Sequence, residues 1–132
     1  VTPSTILVIE DESAIQELIS VNLQLAGHNQ LVATSAEEAL SLLNEARPDL
    51  ILLDWQLPGM SGIEFARHVK NNLLTRNVPI IMLSARSDLQ DKITGLEAGA
   101  DDYICKPFSP RELITRIKTV LHRREQLSDA CD

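Results

Sequence analysis

Aromatic residues are scarce, at 3% of the 132 residues, so the core must be built from aliphatic side chains. That suits a Val/Ile/Leu sheet covered by Leu- and Ala-containing helices. Cysteine is sparser still, and the two present offer no disulfide framework. Cys105 falls in a predicted buried strand and Cys131 in the tail, so a reducing cytoplasm is the expected setting. No apolar run approaches the ~20 residues of a membrane span. The first residues also lack the charged and apolar regions of a secretory signal. Basic charge is in deficit: the formal net charge of -7 argues against non-specific binding to nucleic acid or an anionic membrane. His28, His68 and His122 have no helical or metal-ligand spacing, so zinc is not expected. Neither Gly-x-Gly-x-x-Gly nor Gly-x-x-x-x-Gly-Lys-Ser/Thr follows the first strand, so a phosphoryl donor would have to come from elsewhere. What remains is one domain, large enough to bury about 68–70% of its unfolded surface.

Four short apolar runs each stop at a residue suited to handling a phosphoryl group. Ile6-Leu7-Val8-Ile9 stops at Glu10-Asp11, and Leu50-Ile51-Leu52-Leu53 stops at Asp54. Ile80-Ile81-Met82-Leu83 stops at Ser84, and Tyr103-Ile104-Cys105 stops at Lys106-Pro107. Runs of this length between helical stretches read as buried strands of a parallel sheet. In an open α/β sheet the ligand site lies beyond the carboxyl ends of the strands. Three carboxylates, a hydroxyl and an ammonium therefore converge at one edge.

The helices announce themselves by Ser-x-x-Glu/Gln capping pairs at Ser13/Gln16, Ser35/Glu38, Ser61/Glu64, Ser87/Gln90 and Ser109/Glu112. Pro110 stands at a first helical position, and Gly27 and Gly99 can close helices in the left-handed conformation. The pattern predicts strands at 5–9, 30–33, 49–54, 79–84 and 102–105, with helices at 14–26, 36–45, 62–71, 88–98 and 110–123. Ile15, Leu18, Ile19 and Leu23 share one face of the first helix, and Leu113, Ile114, Ile117 and Leu121 share one of the last. Strict alternation with short loops gives a doubly wound (βα)5 α/β domain by right-handed crossovers. From about His122 the sequence reads as the start of a linker.

Singly, each site residue has an ordinary explanation. Glu10-Asp11-Glu12 could be a solvated turn favouring the next helix dipole, Asp54 a strand-end cap, Lys106 a surface lysine and Ser84 a loop tie. All four explanations must hold at the same sheet edge, which the convergence argues against. Trp55, Met82 and Phe108 read as packing residues. Clustered carboxylates repel one another and call for a hard cation with oxygen ligands, Mg²⁺ near phosphates. Asp54 held as a carboxylate could attack phosphorus and become an aspartyl phosphate, with Mg²⁺ and Lys106 offsetting charge on the equatorial oxygens.

These residues carry a resemblance to the response-regulator receiver domains of two-component systems. The matching segments are Ile6-Leu-Val-Ile-Glu-Asp-Glu12, Pro48-Asp-Leu-Ile-Leu-Leu-Asp-Trp-Gln-Leu-Pro-Gly-Met-Ser-Gly62, Pro79-Ile-Ile-Met-Leu-Ser-Ala85 and Gly99-Ala-Asp-Asp-Tyr-Ile-Cys-Lys-Pro-Phe108. The resemblance covers residues 4–124. The Asp54-Trp55 pair and Lys-Pro-Phe-Ser-Pro-Arg-Glu-Leu are most similar to the OmpR/PhoB subfamily. It implies a flavodoxin-like fold with sheet order 2-1-3-4-5. It also implies a receiver at 1–124 and a linker or disordered tail at 125–132.

The resemblance further implies Asp54 as phosphoacceptor, Asp11 and Glu10 as Mg²⁺ ligands, and Gln56 lending only its backbone carbonyl. Lys106 would contact the phosphoryl group, with a cis bond to Pro107. Ser84, where Thr is commoner, would bond a phosphoryl oxygen, and Tyr103 would swing inward behind it. Cys105 stands where Thr or a similar residue is frequent.

The implied protein is a switch phosphorylated by a sensor histidine kinase, with no enzymatic role beyond its own phosphorylation and dephosphorylation. Its output would run through a DNA-binding domain beyond these residues. The rival is an aspartyl-nucleophile phosphatase of the haloacid-dehalogenase type. That chemistry wants a second Asp where Gln56 stands, and a cap insertion that is missing. Output is expected as a symmetric dimer through helix 4, strand 5 and helix 5. Asp88, Asp91, Glu97, Asp101 and Asp102 make one acidic edge, and Arg111, Arg116, Lys118, Arg123 and Arg124 a basic one. The expected pairs are Lys92 with Glu112, Asp102 with Arg116, and Asp101 with Lys118. The plain alternative is that these charges are solvated or paired within one chain.

Overall fold

The strands Thr5–Ile9, Leu50–Asp54 and Ile80–Ser84 are apolar along nearly their whole length because both faces of the sheet are covered there. The computed structural model describes residues 3–131, with side chains up to Arg124. The chain alternates β1 (Thr5–Ile9), α1 (Ser13–Leu25), β2 (Asn29–Ala33), α2 (Ala36–Glu45), β3 (Leu50–Asp54), α3 (Gly62–Asn71), β4 (Ile80–Ser84), α4 (Leu89–Glu97), β5 (Asp102–Cys105) and α5 (Pro110–Cys131). All neighbouring strands are parallel, in the order β2-β1-β3-β4-β5. This is the expected flavodoxin-like sandwich. Successive strand residues point to opposite faces. Leu7, Ile9, Ile51, Leu53, Ile80 and Met82 therefore pack with Ala39 of α2 and Phe65 and Val69 of α3. Ile6, Val8, Leu50, Leu52, Ile81 and Leu83 pack with Ile19 and Leu23 of α1 and Leu113 and Ile117 of α5.

Caps hold three helix starts as the sequence suggests. Ser35, Ser61 and Ser109 accept from the N–H groups of Glu38, Glu64 and Glu112. The other two differ by one residue. α1 begins at Ser13, with Glu12 in the cap position and no side-chain bond. α4 is capped by Asp88, which accepts from Asp91 N–H at 2.8 Å and displaces Ser87. Gly27 and Gly99 adopt positive φ and close α1 and α4, where His28 N–H reaches Leu23 O and Ala100 N–H reaches Gly95 O.

Several packing expectations shift. Leu18 is exposed on α1, and Val120 joins the buried face of α5 while Ile114 and Leu121 are only half-buried. Cys105 is half-buried because β5 is an edge strand. α5 does not stop at 123 but continues to Cys131, so no helix end marks the expected boundary after residue 124.

Register sets the site. Ile9 lies opposite Leu53, Asp54 opposite Leu83 and Ser84 opposite Cys105. The residues at these strand ends, Glu10, Asp54, Ser84 and Lys106, leave the sheet at one edge.

Candidate functional site

Glu10 extends β1 by one hydrogen bond, its N–H donating to Ala33 O at 3.1 Å, and its carboxylate lies inside the protein. The side chain is completely buried. Glu12 N–H donates to Glu10 Oε2 at 3.2 Å, and the Gln16 amide donates to the Glu10 carbonyl oxygen. Asp54 is nearly as buried, and its Oδ1 accepts from Gln56 N–H at 3.2 Å. Asp11 stays exposed at the rim. One oxygen from each of Glu10, Asp11 and Asp54 lies within 4.8 Å of the other two.

Lys106 sits across this cluster. Its Nζ donates to Glu10 Oε1 at 2.9 Å and lies 3.3 Å from Asp54 Oδ1. The peptide bond from Lys106 to Pro107 is cis. Burial, with Asp54 alongside, pushes the Glu10 carboxyl up to about 7, against the lowering pull of Lys106. Burial opposes the charge on Lys106, but the two carboxylates more than offset it and raise its pKa. One ammonium therefore does not neutralise three acids. All-oxygen donors with surplus negative charge and one exposed member fit a small hard divalent cation. Glu10, Asp11 and Asp54 are the side chains that could hold it.

The expected switch residues are brought together, with one difference. Ser84 is buried and its Oγ accepts from Arg86 N–H at 2.9 Å, tying down its own loop. Tyr103 is already turned inward. It is buried, and its hydroxyl donates to Arg86 O at 2.7 Å. Space for the ring exists because Gly95 has no side chain: a Cβ there would lie 3.1 Å from the ring. Trp55, read from sequence as packing, packs edge-on against Tyr103 with centroids 6.1 Å apart.

Four of the six expected dimer residues, Asp101, Asp102, Glu112 and Arg116, are engaged within the chain. Arg116 pairs with Asp102 at 3.2 Å and with Glu112 at 3.7 Å. Asp101 accepts from Ile80 N–H at 2.8 Å and faces Lys70 at 3.5 Å. Lys92 and Lys118 form no ion pair among the described residues.

Two site residues escaped the sequence reading. Gly62 lets α3 begin against the backbone of Asp54 and Trp55, where any Cβ would collide. Arg86 places its guanidinium 5.2 Å from the centre of the Trp55 ring. Its only sequence signal was its place two residues after Ser84.

A buried acid, a strand-end aspartate and a lysine just past β5 joined in this way match a known pattern. The response regulator receiver domain family matches residues 6–118. The chain belongs to the response-regulator receiver domains. The phosphate regulon transcriptional regulatory protein PhoB of Pseudomonas aeruginosa is 55% identical over 119 residues, 90% of this chain and 52% of that protein. PhoB of Escherichia coli K12 is 52% identical over 118 residues, 89% of this chain and 52% of its own length. A putative response regulator from Chloroflexus aurantiacus superposes with a TM-score of 0.88 at 40% identity, covering 92% of this chain and 99% of that one. The receiver domain thus spans about half the length of the curated relatives it matches. Among its described residues no helix is long and apolar enough to cross a membrane.

Proposed function

We propose that this receiver domain is a cytoplasmic switch that takes a phosphoryl group onto Asp54 from a sensor histidine kinase. The observation that carries the reading is the bridging of Glu10 and Asp54 by Lys106 beside a third carboxylate. Mg²⁺ held by Glu10, Asp11, Asp54 and the Gln56 carbonyl would supply the positive charge that lets anionic reactants meet. An Asp54 carboxylate oxygen forms the new bond to phosphorus as the P–N bond of the donor phosphohistidine breaks and the imidazole leaves. Lys106 is near enough to exchange its carboxylate contact for an equatorial phosphoryl oxygen, where electrostatic stabilisation is most effective. Ser84, one position past the sheet partner of Asp54, can turn its hydroxyl from the Arg86 N–H toward the phosphoryl group.

The output would be a symmetric dimer through α4, β5 and α5, using Lys92, Asp101, Asp102, Glu112, Arg116 and Lys118. Control of transcription would follow through a DNA-binding domain such as those of longer regulators. Incubation with Mg²⁺ and acetyl phosphate should add one phosphoryl group, labile to base and hydroxylamine, as intact mass will show. Omitting Mg²⁺, or Asp54→Asn, should abolish the adduct. A full-yield adduct on another residue would overturn the assignment.

A further inference from the structure

Between the phosphoacceptor loop and α4 lies a closed set of contacts that centres on Arg86. Its backbone N–H donates to Ser84 Oγ, and its carbonyl oxygen accepts from the Tyr103 hydroxyl. One peptide segment thus ties both switch residues. Its side chain closes the set from outside. The guanidinium lies 5.2 Å from the centre of the Trp55 ring, and Nη1 lies 3.8 Å from Asp91 Oδ1 in the first turn of α4. Trp55 in turn meets Tyr103 edge-on at 74°. The indole is therefore in contact with both a cation and the phenol ring. A planar guanidinium can stack on an aromatic face while keeping an ion pair, which a point-charge ammonium does less well.

We propose that Arg86 is a positioning residue that pins Trp55 and so holds Tyr103 in its buried place before any phosphoryl group arrives. Asp91 anchors the pin to α4. Phosphorylation then finds the aromatic half of the switch already set, and only the Ser84 hydroxyl has to move. The consequence for signalling rests on the switch reading above, but the resting position of Tyr103 does not. Burial also pushes the Tyr103 phenol up, in keeping with a ring held inside the protein.

The chain contains one tryptophan and one tyrosine, so each reports without assignment. With 3-fluorotyrosine at Tyr103, ¹⁹F NMR of the unphosphorylated protein gives its buried-to-open ratio, and acrylamide quenching follows Trp55. Arg86→Ala should lower the buried-to-open ratio ~2–5-fold, the range an exposed cation–π contact supports. Arg86→Lys should restore part of it, and Asp91→Asn should move it in the same direction by less. An unchanged ratio in Arg86→Ala, or a lysine variant no better than alanine, would overturn the proposal. In the phosphorylated state the wild-type resonance should barely shift, and that of Arg86→Ala should return toward the buried position. A large wild-type shift would overturn the preset position. Intact mass scores the Asp54 adduct separately, so failure of phosphorylation and failure of the pin are told apart.

Discussion

Replacing Asp11 with Asn should stabilise the fold when divalent cations are chelated, because Asp11 contributes repulsion without a lysine partner. Lys106 contacts Glu10 and Asp54, while Asp11 shares a 4.8 Å cluster with both. Coulomb's law at that distance gives ~3.5 kcal/mol per neighbour at an effective dielectric of 20 and ~0.9 in bulk water. Asp11 is exposed, so the watery limit governs and the two neighbours together cost about 1–2 kcal/mol. In a domain of this size that is a rise in Tm of roughly 2–8 °C.

The gain must depend on pH. Glu10 is raised from 4.5 to about 7. Its contribution to stability is therefore fully present below 4.5 and is lost as pH rises through about 7. At pH 5 Glu10 is protonated and adds little to the repulsion on Asp11, and at pH 8 its charge is present. Thermal melts of wild type and Asp11→Asn in EDTA at pH 5 and pH 8 decide it, with the larger gain expected at pH 8. Added Mg²⁺ should raise the wild-type Tm by mass action and raise that of Asp11→Asn by less. A variant no more stable than wild type in EDTA at pH 8 would refute the electrostatic account.

Gly62→Ala should destabilise by ~1–3 kcal/mol in urea unfolding, since the added Cβ meets the Asp54 and Trp55 backbone rather than a movable side chain. A loss below about 0.5 kcal/mol, the scale of a neutral surface change, would show that α3 can retreat. Ser84→Ala should keep Mg²⁺ binding nearly intact yet uncouple phosphorylation from changes at α4. Full phosphorylation-induced NMR shifts there in this variant would rule out coupling through the hydroxyl. Arg116→Glu should weaken dimerisation of the phosphorylated protein without slowing phosphorylation, and Asp102→Arg should partly restore it in the double variant. Unchanged sedimentation of phosphorylated Arg116→Glu would exclude this face.

The strands were legible because a sheet covered on both faces demands continuous apolar runs, and these are visible as such. Their ends were legible too, and a parallel topology then fixes which ends share an edge. Cap choice was less so. Ser87-x-x-Gln90 and Asp88-x-x-Asp91 overlap by one position, and only the loop backbone decides that Asp88 takes the Asp91 N–H. Burial of Glu10 was not legible at all. Strand ends bring Glu10 near Lys106 across 96 residues, but whether the carboxylate turns inward is decided by local backbone geometry that leaves no residue pattern. Gly62 reads in sequence only as the first residue of a helix, whereas it permits a close approach of two backbones. Arg86 and Tyr103 meet through a backbone carbonyl, a contact that leaves no residue pattern to read.

The charged face shows where sequence identifies groups but not partners. Arg116 already has Asp102 and Glu112 within its own chain. A dimer that paired Arg116 with a partner's Asp102 would exchange one exposed ion pair for another, and such pairs are worth only ~0–1 kcal/mol. Asp101 is further committed to the Ile80 N–H, so releasing it would leave a backbone donor to be satisfied elsewhere. Charges of this kind can fix the orientation of a two-fold dimer but cannot supply its affinity. Apolar surface has to do that, and α4 carries it. Leu89, Ile93 and Leu96 are 73%, 37% and 47% exposed, so an association that covers them removes apolar area from water. The loop before α4 is also where Arg86 reaches Asp91. A change in the Ser84 loop would therefore act on the placement of this apolar row before it acted on any ion pair.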